Sequence, residues 1–536
     1  MQENFIQFVF LILIILALVL FANKIKLAYP IVLVIGGLLL SFTSAFSDIK
    51  IEPDMVFFIF LPPLLYEAAW NTSWKEFWKW RRVITSFAFP IVIITSCVVA
   101  FVSHAFIPGF TLALGFLLGG IVSPPDAVSA TTIMRNVKSP KAPKSLVSII
   151  EGESLLNDAS SLIVFRFALA AIITGQFYIQ EAAASFVLVI VMGIVIGLLV
   201  AVIFYGIHRL IPVTQAIETV LTLATPYCMY YFAEHFHFSG VLAVVSGGLF
   251  LSSQRQKMLS YRSRLEAVNV WTSLVFVLNG LVFLLIGLQL PSIIEQLGDT
   301  SLVSAIWYGL GVSLLLIVTR LLCSFGAALF TRIVGRFITV VDRNIGWKFP
   351  FIFGWAGMRG VVSLAAALSI PLLINEENPF PYRSLILFIT FIVIIVTLVF
   401  QGLSLPWLMR KIKLEDRYST MSEEEQEMII QKKIAKVSHE LLEKKYGNER
   451  KKNDHLDNLF ARLQLDMDFF QKDFEELKNS TDNTVKAYHQ IYLELLEHQR
   501  KLLEKMNKHS EFDEDLIRKY MSLIDMEEFK LREKIF

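Results

Sequence analysis

The chain has 536 residues, of which 55% are hydrophobic and only 18% charged, and its mean hydropathy is +0.58. Soluble domains carry about a quarter charged residues, so this composition excludes a soluble globule for most of the length. The formal net charge of +2 says little about partners, because it averages an apolar part reaching about Met409 with a charged part that starts at Arg410.

The apolar part is a succession of runs of about 20 residues, the length that crosses a bilayer core about 30 Å thick. The first, at 5–22, has no basic segment before it and no small-residue cleavage site after it, and reads as a retained span rather than a signal peptide. Thirteen spans are predicted, at about 5–23, 28–46, 54–71, 83–106, 110–135, 145–174, 181–207, 214–234, 239–253, 267–290, 302–331, 349–374 and 383–409. The third, ninth and twelfth are weak or interrupted.

Basic residues gather in alternate loops. They include Lys24 and Lys26, then Lys75, Lys79, Arg81 and Arg82, then Arg135, Lys138, Lys141 and Lys144, and then Arg209. The same side continues with Arg255, Lys257, Arg262 and Arg264, with Arg332, Arg336, Arg343 and Lys348, and with Arg410, Lys411 and Lys413. The opposite loops hold only Lys50 and Arg383. The positive-inside rule puts the N-terminus outside and the C-terminal tail in the cytoplasm, and the alternation supports an odd number of spans. Cys97, Cys228 and Cys323 all lie in apolar runs, so neither a disulfide framework nor a zinc spacing is available. The tail has no glycine-rich phosphate loop, which argues against an ATP-driven pump.

Two spans are interrupted. Span 5 contains Ser123-Pro124-Pro125-Asp126, where two prolines remove helix donors. Span 12 contains Gly354-Trp355-Ala356-Gly357-Met358-Arg359-Gly360, three glycines around a cation. Broken helices at membrane depth are tolerated only where they line a cavity or lie buried in protein. Their positions fit two inverted six-span repeats, 1–6 and 8–13, joined by span 7. Interrupted spans at corresponding places in two halves point to a transporter's binding site.

Ionisable residues deep in spans cost roughly 2.5–3.5 kcal/mol each and usually mark ion pathways. Those picked out are Glu67, Asp126, Glu151, Glu153, Asp158, Arg166, Arg320 and Arg359. Span 6 reads Glu151-Gly152-Glu153-Ser154-Leu155-Leu156-Asn157-Asp158. Residues four apart share a helix face, so Ser154 and Asp158 offer a hydroxyl and a carboxylate together. Glu153 and Asn157 share the neighbouring face, where the amide can hold the glutamate. A hard alkali cation needs several oxygens at once, and Asp126, the carbonyls freed around Pro125, and Glu67 are candidates for the rest. Asp126 has a second reading, as compensation for the half-helix N-terminus in span 5, as Arg359 has for the C-terminus in span 12. Arg320 is the expected partner of a structural Glu153. Arg166 is read as a structural or membrane-edge charge, and Glu151 as a funnel residue or simply solvated. His208, His235 and His237 are read as water-facing span ends.

Glu153-Ser154-Leu155-Leu156-Asn157-Asp158, the Ser-Pro-Pro-Asp break and Gly357-Met358-Arg359-Gly360 together resemble the bacterial sodium/proton antiporters of the monovalent cation/proton antiporter family, over about residues 1–415. The resemblance implies an all-α membrane protein of about thirteen helices with core and dimerisation domains and an alternating-access cycle. It implies a transporter rather than an enzyme, with no cofactor beyond the transported Na+ and H+. Asp158 would be the shared sodium and proton site, with Ser154 and Asp126 helping to hold Na+, and Glu153 would pair with Arg320. The family often has Thr-Asp-Pro at the span-5 crossing. Here it is Pro125-Asp126-Ala127, so any ligand at Pro125 must be its carbonyl, and the choice among Na+, Li+ and K+ is less defined.

The expected organisation is an antiporter domain at 1–414 and a helical cytoplasmic tail at 415–536, with amphipathic stretches such as 456–477 and 485–506. The tail is read as dimer-stabilising, regulatory or a solvated appendage. The expected partners are Na+ and H+, with Li+ or K+ as alternative cargo, the lipid bilayer of the cytoplasmic membrane and a second copy of the chain. Nucleic acid is not among them. Taken with the family resemblance, Asn157 beside Asp158, rather than a second carboxylate, implies one proton per cation and an electroneutral cycle, and the resemblance also implies a role in pH homeostasis. The rival readings are a K+/H+ antiporter, a cation channel and a non-transporting membrane sensor.

Overall fold

The structure is a computed structural model. It describes residues 2–25, 29–43, 53–135, 137, 142–175, 179–211, 214–298, 300–334, 336, 346–374, 378–414, 423–446, 454–461, 463–464, 483–506 and 514–533. The chain divides into two compact units, Met1–Asp416 and Arg417–Phe536.

The first unit is helical throughout its described residues apart from short connections. Its helices are α1 (Gln2–Ile25), α2 (Tyr29–Ser41), α3 (Pro53–Asn71), α4 (Trp74–Phe106), α5 (Leu112–Val122), α6 (Ala127–Arg135), α7 (Lys144–Thr174) and α8 (Ile179–Leu210). They continue with α9 (Gln215–His235), α10 (Gly240–Met258), α11 (Tyr261–Glu295), α12 (Leu302–Val334), α13 (Lys348–Trp355), α14 (Val361–Leu368), α15 (Arg383–Val396) and α16 (Gly402–Ile412), with a π-helical turn, Thr397–Gln401, between the last two. Taking the pairs α5/α6, α13/α14 and α15/α16 as one span each, the described helices fill the thirteen expected spans, of which the fifth and twelfth are broken, and seven are long and apolar enough by length and composition to cross a membrane. Span 3 is not broken: α3 runs straight through Pro62 and Pro63.

The packing divides these spans into two groups. Spans 4–6 (α4–α7) pack with spans 11–13 (α12–α16), and spans 1–3 (α1–α3) pack with spans 7–10 (α8–α11). Within the second group, span 2 lies on span 10 and span 3 lies on span 9. These pairings interchange when each span is moved by seven, and the α4–α12 pairing maps onto itself. That is the contact pattern of two repeats in opposite membrane orientation.

Between apolar helices in lipid there is little hydrophobic drive, so close backbone approach through small residues does the packing. Gly119 of α5 lies against the Ser96 backbone of α4, and Gly120 against the Phe165 backbone of α7. A Cβ at either position would overlap main chain. This holds the first half of span 5 tightly between spans 4 and 6.

In the second unit, the described helices include α17 (Glu423–Tyr446), α18 (Asn483–Met506) and α19 (Glu514–Glu533). Helices α18 and α19 pack together. The amphipathic stretch at 485–506 falls in α18, whereas 456–477 lies largely outside the described residues.

Candidate ion-binding site

The two broken spans cross, and each residue of the Gly357-Met358-Arg359-Gly360 run has a task there. The Asp126 backbone N–H donates to the Met358 carbonyl at 2.7 Å. Gly357 makes room for the Arg320 side chain, and Gly360 for the Asp126 carboxylate, which a Cβ would overlap. The Arg359 guanidinium donates through Nε to the Val122 carbonyl at 2.5 Å and through Nη1 to the Gly357 carbonyl at 2.8 Å.

The contacts extend beyond the expected one span for each charge. Val122 ends α5 and Gly357 lies just past the end of α13, so Arg359 serves the negative C-terminal ends of both half-helices. Asp126 does the same for the positive ends. Its Oδ1 accepts the Val128 N–H at 2.9 Å in the first turn of α6, its Oδ2 accepts the Ser129 hydroxyl at 2.5 Å, and it lies against Gly360, the residue before α14. The reason is geometric: crossing half-helices bring like ends together.

Span 6 supplies the wall beside the crossing. Ser154 donates through Oγ to the Pro125 carbonyl at 3.0 Å and accepts the Ala127 N–H at 3.4 Å. One turn on, Asp158 is 8% exposed, and among the described residues no donor reaches its carboxylate. Asp126 and Glu153 are the acidic groups whose charge acts on it. On the neighbouring face, Asn157 donates through Nδ2 to Glu153 Oε1 at 2.5 Å. Arg320 of α12 reaches the same carboxylate with Nη1 at 2.9 Å and Nη2 at 2.7 Å. Both partners are buried, and the guanidinium also lies over the Phe353 ring, 5.2 Å from its centre. The Asp158 carboxylate is thus left open to a proton or a cation, while the Glu153 carboxylate is already held by Asn157 and Arg320.

Other predicted residues lie elsewhere. Glu67 is half-buried and accepts from Asn71 Nδ2 at 2.6 Å, and its charged neighbour is Glu151 rather than Asp158. No contact among the described residues joins it to the crossing, and it lies about one turn before the end of α3. Glu151 accepts from Arg135 at 2.6 Å, tying the end of α6 to α7. Arg166 bonds Glu234 at 2.6 Å, and Glu234 also accepts the Gly240 N–H at 2.9 Å. Glu234 was not among the membrane charges picked out, because it sits beside His235 at a span end and looks solvated. His235 and His237 are exposed as expected, but His208 is only 6% exposed and packs near Glu218. Thr397 carries no sequence signal in its apolar run, yet its Oγ1 accepts the Arg359 N–H at 3.1 Å.

Two inverted repeats crossing at a charged break, beside a buried carboxylate that no donor among the described residues reaches, are the arrangement expected of a secondary transporter of the broken-helix type. The chain matches the family described as "Sodium/hydrogen exchanger, transmembrane" over residues 9–411 and belongs to that family. A sodium, potassium, lithium and rubidium/H+ antiporter of Bacillus pumilus is 33% identical over 417 residues, covering 75% of this chain and 61% of that protein. An uncharacterized Na+/H+ exchanger of Mycobacterium bovis is 29% identical over 516 residues, covering 95% of this chain and 93% of that protein. That second similarity runs on into the tail, beyond the point near 415 where the resemblance was expected to stop. The chain thus spans less than two thirds of the Bacillus protein and nearly all of the mycobacterial one. The fold matches the solved structure of the sodium proton antiporter MjNhaP1 from Methanocaldococcus jannaschii, with a TM-score of 0.60 at 18% identity, covering 77% of this chain and all of that one.

Proposed function

We propose that this chain is a secondary antiporter that exchanges Na+ for H+ across the cytoplasmic membrane, with Asp158 as the shared site. The observation that carries the reading is the Asp158 carboxylate, buried beside the crossing and without a donor among the described residues. An uncompensated charge at this depth is costly, so the site is occupied either by a proton or by a cation. Ser154 Oγ, the Pro125 carbonyl and Asp126 are the further oxygens for Na+. Competition at one carboxylate couples the two fluxes, and the occupied group of spans 4–6 and 11–13 carries the ion past spans 1–3 and 7–10. With Glu153 neutralised by Arg320 and Asn157 in place of a second acid, the cycle is electroneutral.

Thirteen spans and the basic alternate loops support an outside N-terminus and a cytoplasmic tail. The apolar surfaces of the membrane unit face lipid, and the assembly is a homodimer. The tail, 415–536, regulates exchange or stabilises the dimer. A second reading, K+/H+ exchange, has one specific support: Pro125 offers a carbonyl but no side-chain oxygen to discriminate between alkali ions. The direct test loads purified protein into proteoliposomes with a pH-sensitive dye and imposes sodium, lithium or potassium gradients in turn. Sodium-driven proton movement exceeding the potassium response is expected. A response to potassium alone would select the second reading, and no cation-dependent proton movement would reject both.

A further inference from the structure

The break in span 5 is splinted by a hydroxyl of span 6: Ser154 bonds the Pro125 carbonyl and the Ala127 N–H. In the second repeat the corresponding neighbours are spans 12 and 13, and the same device recurs. Thr397 Oγ1 donates back within its own helix to the Val393 carbonyl at 2.8 Å and accepts the Arg359 N–H at 3.1 Å. It does so from the π turn Thr397–Gln401, an insertion that re-aims side chains and recurs at functional sites. Ser404, further along span 13, accepts Trp355 Nε1 at 2.8 Å on the other side of the break. Gln401 follows Thr397 by four residues, as Asp158 follows Ser154. It is 1% exposed, with neither amide atom partnered among the described residues, a neutral group where the first repeat carries its acid.

We propose that Thr397 is a positioning residue of the ion site, the second-repeat counterpart of Ser154. It rests on the antiporter reading above. The Arg359 N–H belongs to irregular backbone at membrane depth, where an unpaired donor is not tolerated. By fixing it, Thr397 fixes the adjacent Met358 carbonyl, which holds the Asp126 backbone N–H at 2.7 Å. The same peptide anchors the Arg359 side chain on Val122. Thr397 touches no ion; it sets where Asp126 and the Pro125 carbonyl stand relative to Asp158.

The test compares wild type, Thr397→Ser, Thr397→Val, Thr397→Ala and Asp158→Asn in proteoliposomes at matched reconstitution of folded protein. Maximal sodium-driven proton flux and half-saturating sodium are read separately. Serine keeps the hydroxyl and is expected to match wild type. Valine and alanine are expected to raise half-saturating sodium about tenfold, the equivalent of one ordinary hydrogen bond, with maximal flux largely kept. Should the valine protein not fold, alanine against serine decides. Half-saturating sodium within about twofold of wild type in the folded valine or alanine protein would overturn the proposal, as would serine behaving like alanine. Loss of maximal flux with half-saturation unmoved would also overturn it, since that is what a merely structural role produces. Failure of the antiporter reading shows differently, as absent flux in wild type or retained flux in Asp158→Asn.

Discussion

Arg320 and Glu153, 167 residues apart in the chain, meet through two hydrogen bonds of 2.9 and 2.7 Å in a fully buried pair. Asn157 completes the glutamate's shell. Removing either partner of such a pair leaves an unpaired buried charge, at a cost of roughly 3–5 kcal/mol. Glu153→Gln and Arg320→Gln are therefore expected to melt well below wild type in detergent, with the double variant partly recovered. Thermal unfolding of the purified proteins checks this. If both single variants melt like wild type but need more sodium, Glu153 is an ion ligand instead.

Gly360 touches Asp126 so closely that a Cβ would overlap the carboxylate. Gly360→Ala must push Asp126 away from the starts of α6 and α14, so exchange is expected to fall at least about tenfold, the effect of a 1.4 kcal/mol loss at the site. Correct insertion is verified by size-exclusion behaviour, and flux is compared at equal protein. Wild-type flux would mean that Asp126 has slack that the packing does not suggest.

Much of this is legible in the sequence. Apolar runs of bilayer length register as spans, and prolines or clustered glycines register as breaks, because both act through local backbone chemistry. Long-range partners do not register that way. Arg320 was assigned to Glu153 by charge balance and resemblance, and nothing local marks Glu234 as the partner of Arg166. Glu67 reads as a ligand from the apolar run around it, whereas its described contacts, one turn before the end of α3, are Asn71 and the nearby charge of Glu151. Thr397 is invisible for a different reason: its function comes from a π turn, and no residue type announces one.

The tail carries its own ionic clamp. Arg500 of α18 bonds Asp525 and Glu528 of α19 at 2.6 Å each, and Tyr492 bonds Glu527 at 2.6 Å. Hydrogen bonds from Arg500 and then Arg532 hold the Glu528 carboxyl below its ordinary range. A depressed folded value stabilises above the ordinary carboxylate range and is lost as pH falls through it, so the pairing is expected to hold at neutral pH and to weaken below about pH 4. Exposed pairs contribute only about 0.2–1 kcal/mol each. Arg500→Gln is thus expected to speed amide exchange in α18 and α19 a few-fold, while leaving the membrane unit unchanged in the same measurement. Unchanged exchange in both helices would show that apolar packing alone joins them.

Every candidate ion-site residue precedes the tail, so a chain truncated after Arg417 is expected to insert and to exchange. Its flux–pH curve is expected to be displaced from that of the full chain at matched reconstitution. A correctly inserted truncation with no transport would make the tail part of the transport machinery.

The central claim is that one carboxylate alternates between proton and sodium, and Asp158→Asn tests it most directly. The substitution keeps size and polarity but can neither take up and release a proton nor balance a cation. The measurement is sodium-driven proton movement in proteoliposomes holding equal amounts of folded wild type and variant. The account predicts a wild-type response and, for Asp158→Asn, a trace indistinguishable from protein-free vesicles. Robust sodium-driven proton movement in the folded variant would contradict it.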